Sequence, residues 1–282
     1  MKIGAIVLDT FRELMHRKTL PIFFGIITIT HLFFLLALHT DIAEGTIASL
    51  KVLGMQGNTS GAIPVDKFVS GIQAGIAFVL YPLGILLAVF STASLVPRML
   101  EKGSIDLLLS KPVSRPVLFA SRFLGAFVVA SAHLLYLAFG IGIILGAKTG
   151  VWNGGFLLSG LMVSLYFGAL LAFLVLVGVL LRSTSASVMI TALIFLVSLV
   201  MHGAHQSTAW IQVLSSPFWR TVVRTSVEVV YHVLPRTYDF ARMAGALTLG
   251  TEAPILWPTL NTMLSGTAAL AVATLYFTRK DY

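Results

Sequence analysis

The sequence predicts an all-α, polytopic membrane protein with six transmembrane helices, and three observations lead there. Hydrophobic residues make up 57% of the 282 and charged residues only 11%, where a soluble domain carries about 25% charge. Mean hydropathy is +0.94. The 19 Lys and Arg and the 11 Asp and Glu all avoid six stretches: 19–40, 68–97, 123–147, 149–181, 183–219 and 253–278. A bilayer core of about 30 Å takes roughly 20 residues at about 1.5 Å each, so every stretch is long enough to cross. What remains is too short for a separate soluble catalytic or nucleotide-binding domain, which needs about 100 residues. The chain therefore reads as one transmembrane unit over 1–282.

The elements follow in order. Residues 1–18 place Ile3, Val7, Phe11 and Leu14 at helical spacing, with Lys2, Asp9, Arg12, Glu13, His16 and Arg17 around them. That is an amphipathic helix lying in the headgroup layer, or a simple positive flank to the first span. Asp9, Arg12 and Glu13 interrupt the apolar run a cleavable signal peptide needs. Span one covers about Pro21–Leu38, with Pro in the first helical turn where its missing N–H is tolerated. A polar, Gly-containing loop follows over 39–70. Span two covers about Ile72–Val96, with a kink expected at Tyr81–Pro82. Spans three and four cover about Phe123–Ala147 and Phe156–Leu181, span five starts after Arg182 and runs to about Met201, and the last covers about Thr259–Phe277.

With six spans the termini share a side. That side, with 98–122 and Arg182, holds twelve Lys and Arg, against seven on the other. Lys and Arg accumulate in cytoplasmic loops, which places both termini in the cytoplasm. The net charge of +8 is thereby assigned to membrane orientation, and no nucleic-acid partner is expected. The absence of cysteine excludes disulfides, a thiol nucleophile and a thiolate metal site, and is compatible with a bacterial inner membrane.

Two connections carry most of the remaining information. In 98–122, Ser104–Ser110 reads as a short helix ended by Pro112, with Ile105, Leu108 and Leu109 on an apolar face and Glu101, Asp106, Lys111 and Arg115 around it. An apolar knob with a charged rim suits docking to a cytoplasmic partner; contact with anionic lipid is the other reading. In 202–258, Trp219, Val222, Val229, Val230 and Val233 share a helical face over 217–234, ended by Pro235. This outer segment is an interfacial helix, a re-entrant hairpin or an external lid. His202 and His205 are spaced as in some metal sites, yet two imidazoles alone are a weak ligand set. His31 and His133 fall within spans, where helix–helix hydrogen bonding is expected.

Enzyme signatures are missing: no His-Glu-x-x-His, no Gly-x-Ser-x-Gly and no carboxylate inside a span. Gly140 through Gly146-Ala-Lys148-Thr149 imitates a phosphate-binding loop, but an extra residue separates glycine from lysine and the setting is an apolar helix. Those glycines are expected to serve close helix packing.

Glu101, Gly103, Leu107, Leu108, Pro112, Ser114, Arg115 and Arg122 together resemble the first cytoplasmic loop of type-2 ABC transporter permeases, with Arg122 where Lys is usual. The start is similar too, in Phe11-Arg12-Glu13-Leu14 and Arg17-Lys18. So are the end (Phe277, Arg279, Lys280, Asp281) and Tyr231-His-Val-Leu-Pro235 followed by Asp239-Phe240. The resemblance implies a six-span half-transporter, probed from the cytoplasm by a separate ATPase subunit. Glu101, Gly103, Ile105, Leu108, Leu109, Pro112 and Arg115 would form the coupling helix pressed into that subunit. ATP and Mg would be bound by the ATPase, leaving no cofactor in this chain, and a second permease copy or paralogue would complete the complex. Alternating access would export the substrate. A motion-transmitting membrane component acting on an external partner, and an ion-coupled secondary transporter, are the alternatives.

Overall fold

The computed structural model describes residues 2–15, 18–43, 46–52, 55–57, 63–101, 103, 105, 113–207, 209–213, 215–252 and 255–280. Among them α1 spans Lys2–Met15, α2 Thr19–Ala37, α3 Val65–Thr92, α4 Leu95–Met99 and α5 Arg115–Thr149. Then come α6 (Gly154–Leu181), α7 (Thr184–Gln206), α8 (Pro217–Val233), α9 (Thr237–Leu249) and α10 (Leu256–Arg279). Six segments are long and apolar enough to cross a membrane: Leu20–Ala37, Val65–Met99, Arg115–Thr149, Gly154–Leu181, Thr184–Gln206 and Leu256–Arg279. They match the six uncharged stretches, and the chain is an all-α polytopic membrane protein.

Helix α6 is the axis of the bundle. It is apolar around its whole circumference, the composition of a helix with no solvent or polar face, and 67% of its most apolar window is buried. Helices α3, α5, α7, α9 and α10 all pack on it. Asn153 caps its start by accepting from the Phe156 N–H at 3.2 Å, and Ser183 caps α7 in the same way from Ala186 at 3.3 Å. Between them Arg182 takes a left-handed conformation (φ 52°) that turns the chain in two residues. At the α6–α10 crossing Gly266 brings the backbones together: a Cβ there would stand 2.8 Å from the Ala169 Cα and Cβ. Phe277 of α10 stacks on Phe119 of α5, with ring centroids 5.1 Å apart.

Three features depart from the sequence reading. The connection predicted as a polar loop over 39–70 contains strands β1 (Leu38–Ala43), β2 (Thr46–Val52), β3 (Met55–Gly57) and β4 (Ile63–Pro64). β2 pairs antiparallel with each of the others, Leu38 facing Val52 and a bulge falling between Asp41 and Ile42. Helix α3 begins seven residues before the predicted start of span two, with Pro82 in its interior, and the run is interrupted at Ala93–Ser94 before α4. In the outer segment a 3-10 helix at Ala209–Val213 precedes two α-helices. α8 and Pro235 fall where predicted, and α9 follows as a second limb.

Candidate functional site

The predicted coupling connection leaves from α4 and returns into α5. Leu95, Val96, Pro97 and Met99 of α4 are buried against the end of α6, and the chain turns at Leu100 and Glu101, whose N–H groups bond back to Pro97 and Arg98 carbonyls. Glu101 is exposed and its carbonyl accepts from Ile105 N–H at 3.1 Å. Gly103, also exposed, has φ +84°, where a side chain would be strained. Ile105 is only 4% exposed and belongs to the chain's own core, so in this conformation it anchors the connection and does not join an outward apolar face. Leu108, Leu109 and Pro112 lie outside the described residues.

Arg115 opens α5 and turns towards the end of α10. Its Nη1 donates to the carbonyls of Lys280 at 3.0 Å and Thr278 at 3.4 Å, a cation on the unpaired carbonyls of a helix C-terminus. Two turns on, Arg122 is 7% exposed. Its guanidinium forms ion pairs with Glu13 and, at 3.3 Å, with Asp9 of α1. Asp9 and Glu13 stand one turn apart, so one arginine fork takes both, while Leu14 of α1 is fully buried. A 35-residue helix is about 52 Å long, well beyond a hydrocarbon thickness of about 30 Å, so part of α5 extends past it. Both terminal elements are thus fastened to the root of the helix that receives the connection. Sequence reading picked out Arg115 and Arg122 individually; their partners sit over 100 residues away.

The outer segment forms a hairpin of α8 and α9. α8 descends beside α7 with only Tyr231 buried, and α9 returns among α3, α6 and α7, its Phe240, Met243 and Ala244 buried. At the tip Thr237 hydrogen-bonds to Tyr166 of α6 and Ser198 of α7. Ser198 is about 12 Å below the end of α7, and Tyr166 about 18 Å below the start of α6, at 1.5 Å per residue. α9 climbs back until the Thr248 carbonyl accepts from Asn153 at 2.8 Å, whose amide also reaches Gln73 at 2.8 Å. A cavity of about 70 Å³ adjoins the tip, lined by Tyr81, Pro82, Tyr166, Phe195, Thr237 and Phe240 among others.

His202 and His205 join this hairpin separately. His202 stacks on Tyr238 (4.0 Å) with Nδ1 3.0 Å from Asp239 Oδ1, out of line for a hydrogen bond. His205 stacks on Tyr231 (4.1 Å) with Nδ1 3.4 Å from Glu228 Oε2. Among the described residues no three His, Cys, Asp or Glu gather as a metal ligand set. Each imidazole faces its own carboxylate and its own tyrosine ring. Sequence reading missed Arg236, Thr237 and Asp239 as interior residues because they looked like loop polarity; Pro235 ahead of an Arg236…Asp239 pair was the available signal.

Six apolar spans, an amphipathic helix fastened to the third and a two-helix hairpin packed against the bundle before the last define a polytopic membrane protein. The profile of the ABC-2 family transporter proteins matches residues 5–282, and the chain belongs to that family. A search of the curated proteins found no match. Membership makes the chain the membrane component of an ABC transporter, working with an ABC ATPase partner.

Proposed function

We propose that this chain is the permease of an exporter in a bacterial inner membrane, with both termini cytoplasmic and a second copy or paralogue beside it. Glu101, Gly103, Leu108, Leu109 and Pro112 present the connection between α4 and α5 to the ATPase. Arg115 and Ile105 hold its two ends to the bundle. ATP and Mg bind in the ATPase, whose closure pushes the connection and rocks the spans. The observation that carries this reading is the double fastening of α5: Arg115 to the end of α10 and Arg122 to α1. A push at the connection then moves three elements together, which suits transmission of force over a fixed lever.

The test is purification of the tagged chain with the ATPase that accompanies it, followed by ATP turnover in proteoliposomes. Glu101→Lys and Leu108→Asp should abolish transport-coupled hydrolysis while the protein remains in the membrane. Recovery of the chain without an ATPase, or unchanged coupling in both variants, overturns the proposal. A second reading, transmission of ATPase motion to an external partner, draws on the four-stranded sheet at the face opposite the termini. It predicts ATP turnover without substrate flux.

A further inference from the structure

The tip of the hairpin holds an arginine whose surroundings do not satisfy it. Arg236 is 6% exposed, at a depth level with Ser198 and Tyr166, where a charged side chain is costly unless it is paired. Its Nη1 is 3.7 Å from Asp239 Oδ2, a long ion pair, and its guanidinium lies 4.4 Å from the Tyr231 ring centroid. Among the described residues Nε and Nη2 have no hydrogen-bond partner. Asp239 is already claimed: Tyr231 Oη donates to Oδ2 at 3.1 Å, and the His202 ring faces Oδ1. A guanidinium has five N–H donors and no acceptor, so this cluster has more donors than its single carboxylate can serve. It lacks an anion.

We propose that Arg236 is the anchor of a binding site for an anionic amphiphile, a phosphate or carboxylate group carried on an apolar chain. The anion supplies the acceptors that Nε and Nη2 lack, in the fork-on-fork geometry that arginine offers. The apolar chain suits the next residue's surroundings: Thr237 lines a cavity with Phe195, Leu199 and Phe240, while Arg236 itself stands outside that lining. In the conformation described the guanidinium is covered by α8, which has Tyr231 as its one buried side chain. The site opens when α8 swings off the bundle. This proposal is independent of the coupling reading, because binding is measured on the permease chain alone.

The experiment uses the full chain in phosphatidylcholine nanodiscs, with thermal unfolding followed against added dodecyl phosphate, dodecanoate, dodecanol and inorganic phosphate. The two anionic amphiphiles should raise the melting temperature saturably, while dodecanol and inorganic phosphate leave it unchanged. Arg236→Gln should weaken the apparent affinity at least about tenfold, and Arg236→Lys, which keeps the charge and loses the fork, should fall between. Asp239→Asn should strengthen it, since it removes the internal competitor for the guanidinium. This variant also separates the site from a purely structural ion pair, whose loss would lower the melting temperature without improving any ligand response. No response in the native chain, an undiminished response in Arg236→Gln, or an equal response to inorganic phosphate or to dodecanol would overturn the proposal. So would an Asp239→Asn variant that binds more weakly.

Discussion

Gly140 lies where the His31 ring crosses α5, and a Cβ there would stand 2.3 Å from the ring's Cε1. His31 is 7% exposed, its Nε2 3.2 Å from the Leu137 carbonyl and its ring edge-on to Tyr136 at 4.7 Å, so it has little room to yield. Overpacking of this kind costs about 1–3 kcal/mol. Gly140→Ala should therefore lower stability by that amount in melts of the reconstituted protein, and adding His31→Ala should return most of it. Costs that simply add would show that the two residues are not in contact. Arg122 makes a comparable case in charge. Arg122→Gln leaves Asp9 and Glu13 repelling each other one turn apart, and should cost about 1–3 kcal/mol; that range is below the usual buried-pair value because Asp9 is half-exposed. Arg122→Lys keeps the charge and loses the fork, so its cost should be about 1 kcal/mol or less. Melting temperatures equal to that of the native chain in both variants would mean that the pairs contribute nothing.

Among elements, what could be read in the sequence divides by the range of the interactions. The six spans were legible because lipid demands long uncharged runs, a local property of each segment. α8 was legible from its period, and α1 likewise. The sheet over 38–64 was not: its strands are two to seven residues long, interrupted by Gly, and held by pairing that no local pattern announces. α9 was hidden for another reason. Its Thr237, Asp239, Arg242 and Thr248 read as a wet loop, whereas several of their partners are supplied by α6 and α7, far away in sequence. The connection over 98–122 was legible only as a motif. Ile105, expected on an outward apolar face, lies in the core, and the fastening of Arg115 to α10 could not be foreseen from 98–122. That fastening predicts a specific failure. Arg115→Ala removes two charge-assisted hydrogen bonds without touching the exposed Glu101. ATPase co-purification should be unchanged, while transport-coupled turnover falls about tenfold. Loss of co-purification would place Arg115 in the docking surface itself.

At the scale of the whole molecule, α6 organises two different kinds of contact. With α10 and α5 it is joined by small residues and close backbones, contacts that slide or separate only at the cost of packing. With α9 it is joined through hydroxyls and a capping amide, Tyr166 to Thr237 and Asn153 to the Thr248 carbonyl, which can exchange partners at lower cost. These contacts predict a stiff half, built of α5, α6 and α10 with α1 fastened to it, and a half with more freedom around α9. Because the chain contains no cysteine, this division is open to direct test. Ala169→Cys with Gly266→Cys would place two thiols at the α6–α10 crossing, where an added Cβ lies 2.8 Å from that of Ala169, close enough to bridge after a small shift. If α6 and α10 move as one body, the oxidised double variant should keep transport-coupled ATP turnover within about twofold of the reduced form. A block relieved by reductant would show that the stroke shears this crossing, and the stiff half would then have to be drawn without α10.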